Sequence, residues 1–219
     1  MKKTLLISLF IVTCALTAAA QSAPVKHHNW AFMGIEAGSS NNWYQLEDGL
    51  EREGFGFGGF YAGMHIEFLF GDRQQHGIVV DEGAEKLQGK IKNPMVFDGT
   101  PFNTRLYNIY VKPGYKYSFR NTFFIEVFPQ LDIPVAQTVI EPTTSMTKHE
   151  ADVNEKTKLG FSIGIAAGRN LTDNLAIVFR LKKSFTDYFA CDSLLPYIGP
   201  GMNKGGLIFQ MGLSFGFGM

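Results

Sequence analysis

The chain has 219 residues, and its 20 lysines and arginines balance 20 aspartates and glutamates, so the formal charge is zero. This balance excludes the basic excess that a nucleic-acid-binding protein normally carries. An apolar share of 45% excludes an intrinsically disordered chain. Charged residues make up 18%, below the roughly 25% of an ordinary soluble domain, while 20 residues are Phe and 24 are Gly. The composition is unusual for a soluble enzyme.

The first twenty residues have the pattern of a secretory signal peptide. Lys2 and Lys3 precede an apolar stretch at residues 5–16, and the alanines at 18–20 form a small-residue cleavage site. The apolar stretch is shorter than the roughly 20 residues that span a bilayer as a helix. We expect a signal peptide at residues 1–20, a short periplasmic lead at 21–29 and one domain at 30–219.

Seven later segments alternate between apolar residues and polar or small ones, with the period of two that is typical of β-strands. The clearest is residues 206–219, where every odd position is apolar and most even positions are Gly, Ser or Gln. An eighth and weaker candidate, residues 76–87, looks like a strand only at Ile78, Val79 and Val80. The other six segments are residues 31–39, 60–70, 107–119, 123–135, 158–168 and 175–183.

The connections between these segments alternate in length. Long polar connections lie near residues 40–54, 88–103, 142–157 and 190–204, and short ones at residues 71–75, 120–122 and 172–174. Nothing after the signal peptide holds 18 consecutive apolar residues, so a membrane protein with this sequence has to be a barrel. The pattern predicts an all-β fold: an eight-stranded antiparallel up-and-down transmembrane β-barrel with short periplasmic turns and long extracellular loops.

The two faces of the predicted strands differ in a way that favours a membrane barrel over a soluble secreted barrel or sandwich. The apolar face holds more Phe, Leu and Ile than the interior of eight strands can accommodate, so it should face lipid. The opposite face carries Gly, small polar residues and charges that need partners when buried. We predict a barrel-interior charge network of Glu36, His65, Glu67, Lys112, Lys116, Glu126, Arg180 and Lys182.

The signal peptide, the single domain and the final strand with alternating Phe and Gly resemble the outer-membrane β-barrel families of Gram-negative bacteria. The nearest resemblance is to the PorT-like outer membrane beta-barrel domain, with the OmpA/OmpX-like small barrels next. It implies a place in the outer membrane, contact with its lipid and insertion by the barrel-assembly machinery, and it brings no catalytic residues. Such barrels usually finish on an aromatic residue, whereas here Phe217 lies two residues before the end.

Candidates for chemistry are few, and we expect neither a cofactor nor a metal. His65 and Glu67 share the lumen-side face and would serve a lipid-acting enzyme together with a serine, but an interior hydrogen-bonded pair is the preferred interpretation. Cys191 has no basic neighbour in sequence to activate it. The loop at residues 142–157 is rich in oxygen ligands but also in lysine, which favours a solvated loop; its candidate ligands are His149, Glu150, Asp152, Asn154 and Glu155.

The last long loop contains an apolar stretch that either forms a contact surface or packs over the barrel mouth: Leu194, Leu195, Tyr197 and Ile198. We therefore expect a small non-porin barrel with a structural or surface-binding role through its extracellular loops, with an extracellular or secretion-system protein as partner. The alternatives are a lipid-modifying hydrolase or acyltransferase and an accessory component of a secretion or surface-assembly system. A channel is disfavoured because eight strands leave little bore.

Overall fold

The computed structural model describes residues 30–44, 51–52, 56–71, 74–119, 122–142, 147–150, 159–185, 192–194, 196 and 205–218. The predicted signal peptide and periplasmic lead lie outside these residues. The described residues form ten strands: β1 (Ala31–Tyr44), β2 (Glu51–Arg52), β3 (Gly56–Phe70), β4 (His76–Lys92), β5 (Phe102–Phe119), β6 (Phe123–Ile140), β7 (Lys148–Glu150), β8 (Gly160–Asn170), β9 (Leu175–Ser184) and β10 (Gly206–Gly218). Within this part of the chain, no helix has the length and hydropathy needed to cross a bilayer.

Eight long strands close into a ring in which every neighbouring pair is antiparallel. Each strand pairs with the next long strand in sequence, and β10 pairs with β1 to complete the circle. The two short strands lie outside the ring, with β2 paired to β4 and β7 paired to β6. The prediction of an eight-stranded antiparallel up-and-down barrel is therefore confirmed.

The register of the strands fixes the tilt of the barrel. A path that starts at His76 on β4 and moves from each residue to its paired residue on the next strand goes once around the ring. It passes Tyr117, Ile125, Ala167, Phe179, Met211, Ser39 and Phe60. It returns to β4 at Lys86, ten residues beyond His76. Ten residues of about 3.3 Å each, over eight strands about 4.8 Å apart, correspond to a strand tilt of about 40°. Each residue then rises about 2.5 Å along the barrel axis.

The connections alternate in length around the ring, as the sequence predicts. Residues 71–75, 120–122 and 171–174 make the short turns of the periplasmic end. The long connections of the other end span residues 45–55, 93–101, 141–159 and 185–205, and two of them contain the short strands β2 and β7. The second long connection is shorter than predicted because β4 continues to Lys92 and β5 already begins at Phe102.

Strand β4 is the element that the alternation of residues nearly missed. It is a continuous strand of 17 residues, although only three of them looked like a strand in the sequence. Its inward face carries Asp81 and Glu85, and its outward face carries Glu82, Lys86 and other polar residues. Because both faces are polar, the contrast between alternate positions disappears, and pairing with β3 and β5 decides the conformation.

The outward face of the ring is apolar and exposed along most strands. These side chains include Ile35 (64% exposed), Phe68, Val127, Ile165 and Leu213. Near the periplasmic end, aromatic rings meet on this surface: Phe70 stacks on His76 with 5.5 Å between ring centroids, and Tyr117 packs edge-on against Phe119 at 4.8 Å. A belt of amphipathic rings at one edge of an apolar band is typical of a membrane interface.

Strands β4, β5 and β6 rise well above the rest of the barrel. They have 17, 18 and 18 residues, whereas β8 and β9 have 11 and 10. At about 2.5 Å per residue the long strands reach about 45 Å, against a lipid-facing band of about 25 Å. The inward side of this raised sector is apolar and completely buried at Leu87, Ile91, Phe102, Leu106 and Val139.

Candidate functional site

The inward face of the barrel holds all eight residues of the predicted charge network. The sequence places them there because each occupies an inward position of a strand with a period of two. None is more than 9% exposed; the set is Glu36 on β1, His65 and Glu67 on β3, Lys112 and Lys116 on β5, Glu126 on β6, and Arg180 and Lys182 on β9. Their neighbours across the lumen come from strands that are far apart in sequence.

The centre of this lumen is organised around Asp81, a residue of β4 that is completely buried. Its carboxylate forms ion pairs with Lys112 and, at 3.4 Å, with Arg180 Nη2. Its Oδ1 also lies 2.6 Å from His65 Nδ1. Arg180 forms a second ion pair with Glu36 on β1. Asp81 therefore joins groups from three other strands: β3, β5 and β9.

Two further ion pairs extend this cluster toward the periplasmic end. Lys116 Nζ donates to Glu67 Oε2 at 2.7 Å, and Lys112 Nζ donates to Glu126 Oε1 at 3.0 Å. The other ring nitrogen of His65 faces Glu67 Oε2 at 3.5 Å. Both nitrogens of His65 are thus directed at carboxylates, and both can donate when the imidazole is protonated.

A second cluster lies nearer the extracellular end and centres on Glu85. Lys182 Nζ donates to its two carboxylate oxygens at 2.9 and 2.7 Å. Asn108 and Gln210 add amide donors at 3.2 and 2.9 Å. Asp132, an electrostatic neighbour of Glu85, accepts a hydrogen bond from the Ser162 hydroxyl at 2.8 Å. Each carboxylate of this cluster is therefore held by donors from other positions on the wall.

Large aromatic rings pack beside glycines in this polar interior. Lys112 Nζ lies 4.7 Å from the centre of the Phe128 ring, within the range of a cation–π contact. Opposite Phe128, a Cβ added to Gly164 would lie 2.4 Å from the ring. A Cβ on Gly212 would lie 2.3 Å from the Tyr61 hydroxyl in the same way. The inward glycines therefore provide the room in which the large side chains sit.

The sequence missed three inward carboxylates that the structure brings into the lumen: Asp81, Glu85 and Asp132. Two of them lie on β4, whose polar outward face hid the alternation, and Asp132 lies on β6 between Pro129 and Pro134, which interrupt the pattern. The sequence predicted three glutamates against four lysines and arginines. Among the described residues, six buried carboxylates face four such cations and His65, so the lumen carries an excess of acid.

One group in the lumen has the spacing of a metal site. Ligand atoms of Glu36, His65 and Asp81 all lie within 4.8 Å of one another. However, Arg180 binds both carboxylates and Lys112 binds Asp81, so the chain supplies the compensating positive charge itself. A divalent cation at this position would have to displace these partners. The residues present fit an ionic network better than a metal.

The lumen is closed at its middle. Tyr61, Asp81, Lys112 and Lys182 reach into it from different strands, and all are at most 2% exposed. The periplasmic half opens into a cavity lined by Glu36, His65, Glu67 and Arg180, and its rim includes Asp173 and Asn174. These central side chains therefore occupy the middle of the described lumen and are shielded from solvent.

The predicted loop residues are only partly described. Leu194 lies in a short 3-10 turn, Asp192–Leu194, that contacts β7, and its side chain is completely buried. Whether the stretch forms a contact surface or packs over the barrel mouth stays a prediction. In the long connection at residues 141–159, His149 Nε2 lies 2.5 Å from Glu141 Oε1. Outside the described residues lie Leu195, Tyr197, Ile198, Cys191, Asp152, Asn154 and Glu155.

A closed ring of eight strands with an apolar outside and an ionic inside is the architecture of a small membrane barrel. The family model of the outer membrane protein beta-barrel domain matches residues 8–218. The chain belongs to this outer-membrane β-barrel family. Its place is accordingly the outer membrane of a Gram-negative bacterium, and its fold is that of the OmpA/OmpX-like small barrels.

The chain is similar to solved structures of outer-membrane barrels. Neisserial surface protein A is 12% identical, with a TM-score of 0.50 over 85% of this chain and 97% of that protein. OprG from Pseudomonas aeruginosa is 8% identical, with a TM-score of 0.48 over 89% and 100%. Ail from Yersinia pestis is 9% identical, with a TM-score of 0.47 over 85% and 99%. No curated protein sequence matches the chain. The finer resemblance to PorT-like domains stays a prediction.

Proposed function

We propose that this outer-membrane β-barrel is a non-porin protein with a structural or surface-binding role, in which the barrel anchors an extracellular binding end. The raised sector of β4, β5 and β6 is the observation that carries the proposal. It extends about 20 Å beyond the lipid-facing band and bears the short strands β2 and β7 on its two sides. A sealed anchor has no need of strands this long, whereas a platform for a partner does.

The interior of the raised sector supports this role. Leu87 pairs with Leu106, and Ile91 pairs with Phe102, across β4 and β5, and all four side chains are completely buried. Leu194 is buried as well, in the turn of the last long loop. A small apolar core above the membrane gives the loops a rigid base and closes the outer mouth of the barrel. Together with the ionic centre, it argues against transport through the lumen.

The lipid-modifying alternative has weaker support. The base that the sequence predicts for it, His65, is 9% exposed and has both ring nitrogens directed at carboxylates. A general base for a serine needs a free ring nitrogen within hydrogen-bond distance of the hydroxyl. His65 and Glu67 also point into the lumen, on the side of the wall that lipid does not reach.

The resemblance to PorT-like domains favours a partner that belongs to a secretion or surface-assembly system. An extracellular protein that is independent of such a system is the other candidate partner. Both would meet the same loops, so the identity of the captured partner distinguishes them.

Site-specific photocrosslinking in intact cells tests the proposal. The crosslinking residue is placed at Met95, which is 91% exposed in the loop at residues 93–101, and at the exposed Pro142 in the next long loop. The matched control is the exposed Asp173 in the periplasmic turn. We expect one and the same partner from both loop positions and not from Asp173. Absence of any partner at both loop positions would contradict surface binding.

A further inference from the structure

Basic side chains gather on the outward face of β4 and β5, above the apolar part of that face. Lys86 and Lys90 lie on the outward side of β4, four residues apart. Arg105 on β5 pairs with Gln88, the outward residue midway between the two lysines. The three basic residues therefore form a triangle, the β4–β5 basic patch, within which long side chains can reach a common point.

The height of the patch places it at the outer boundary of the membrane. Lys86 lies ten residues along β4 from His76, which belongs to the aromatic belt at the periplasmic end. At about 2.5 Å per residue, Lys86 is about 25 Å above that belt, which equals the height of the lipid-facing band in such barrels. Lys90 and Arg105 lie higher still, at the level of the lipid headgroups.

The contacts within the patch indicate an anion as its ligand. Lys86 Nζ lies 3.4 Å from the carbonyl oxygen of Gly58 and 6.0 Å from the centre of the Phe60 ring. Arg105 is close enough to Lys86 to repel it electrostatically. The Nε of Arg105 is buried and has no hydrogen-bond partner among the described residues. Like charges brought together beside an unsatisfied donor are stabilised when a negatively charged group binds between them.

We propose that the β4–β5 basic patch binds the phosphate group of a lipid in the outer leaflet. The apolar surface on the membrane side of the patch favours a lipid over a free ion as the ligand. Phe60, Ala84 and Ile109 continue the outward face toward the membrane centre and are exposed, so acyl chains attached to the phosphate find apolar contact there. The guanidinium fork of Arg105 suits two phosphate oxygens, and the lysines add point charges. This site lies on the outward face of β4 and β5, apart from the loop positions Met95 and Pro142 at which the proposed function is tested.

Native mass spectrometry of the full-length folded barrel in detergent tests this proposal. The probe is dimyristoyl phosphatidic acid, which carries a phosphate monoester, and dimyristoyl phosphatidylcholine is the zwitterionic reference lipid. The test variant is Lys86→Gln/Arg105→Gln, and the charge-retaining variant is Lys86→Arg/Arg105→Lys. The matched control is Lys183→Gln, which removes one lysine from β9, on the opposite side of the ring. Altered gel migration on boiling verifies that each variant is folded.

We expect the glutamine double variant to weaken binding of phosphatidic acid about tenfold or more. The charge-retaining variant and Lys183→Gln should stay within about threefold of the wild type. Equal binding of phosphatidic acid by the wild type and the glutamine double variant would overturn the proposal. So would an equal loss in Lys183→Gln, because the effect would then be general charge attraction. Inorganic phosphate is titrated in parallel, and the assignment to a lipid fails if it binds as tightly as phosphatidic acid.

Discussion

The two basic residues of β9 show how individual side chains stabilise the lumen. Arg180 reaches Glu36 across 144 positions of sequence, and Lys182 reaches Glu85 across 97. Burial of such charges is costly unless each one has a partner, and removing one partner leaves the other uncompensated. A large loss of stability is therefore expected when one residue of an ion pair is replaced alone, and a small one when both are replaced.

For the buried pair on β9 and β4, we expect Lys182→Met to lower the free energy of unfolding by about 3–5 kcal/mol. The reason is that the Glu85 carboxylate would remain buried without a cation. The double variant Lys182→Met/Glu85→Gln should recover most of the loss, because no net charge is left and Asn108 and Gln210 still have an amide to contact. Urea titration of the refolded barrel in detergent micelles, followed by tryptophan fluorescence, measures both. A double variant as unstable as the single one would contradict this account.

Close packing around the inward glycines leads to a second prediction. Gly164→Ala should lower the free energy of unfolding by about 1–3 kcal/mol, because the new Cβ would lie 2.4 Å from Phe128 and 2.9 Å from Lys182 Cβ. Gly216→Ala is the control: its Cβ would meet nothing nearer than 3.7 Å, so a change below about 0.5 kcal/mol is expected. The same urea titration compares them. Equal losses of stability in the two variants would mean that the backbone conformation, and not the space around the Cβ, requires glycine at these positions.

The outward face of β4 holds a carboxylate at a depth where lipid is expected. Glu82 is exposed and pairs with Met64 and Val111, about 15 Å above the periplasmic belt. We expect Glu82→Leu to raise the free energy of unfolding by up to about 2 kcal/mol in a bilayer. The stability of Glu82→Gln should lie between those of the wild type and Glu82→Leu. Unfolding of the three proteins in lipid vesicles provides the measurement. A loss of stability in Glu82→Leu would instead indicate a partner that contacts this carboxylate.

At the scale of elements, the raised sector of β4, β5 and β6 combines two environments in one set of strands. In the membrane its inward residues include the charges of the lumen, and above the membrane they include the apolar Leu87, Ile91 and Phe102. The change occurs on β4 between Glu85 and Leu87, which are adjacent inward positions. The upper part has the buried apolar side of a soluble sheet, so it depends on packing against the loops above it.

Burial of the last long loop against this sector can be tested at one position. We expect Leu194→Asp to speed cleavage of residues 185–205 by external protease about tenfold, because a buried charge favours local opening. Pro196→Ala, at an exposed position two residues away, should leave the rate unchanged. Protease treatment of intact cells followed by gel analysis gives both rates. An unchanged rate in Leu194→Asp would show that the loop is held elsewhere.

At the scale of the whole molecule, the closed ring leaves no strand edge inside the membrane. Every strand of the ring is paired with a neighbour on both sides, which makes unfolding in detergent slow. Unheated protein should therefore migrate differently from boiled protein on a denaturing gel, and it should be recovered in the outer-membrane fraction. Identical migration before and after boiling would contradict a closed barrel.

The sequence alone determined the eight strands of the ring, the alternation of long and short connections and the direction of the faces where the strands alternate clearly. These follow from local periodicity, since inward and outward positions alternate in every strand whatever its neighbours are. The tertiary structure decided the shift of ten residues around the ring, the inward position of Asp81, Glu85 and Asp132, and the partner of each charge. Those features depend on register between strands that are distant in sequence, and no local pattern encodes which residue lies opposite another.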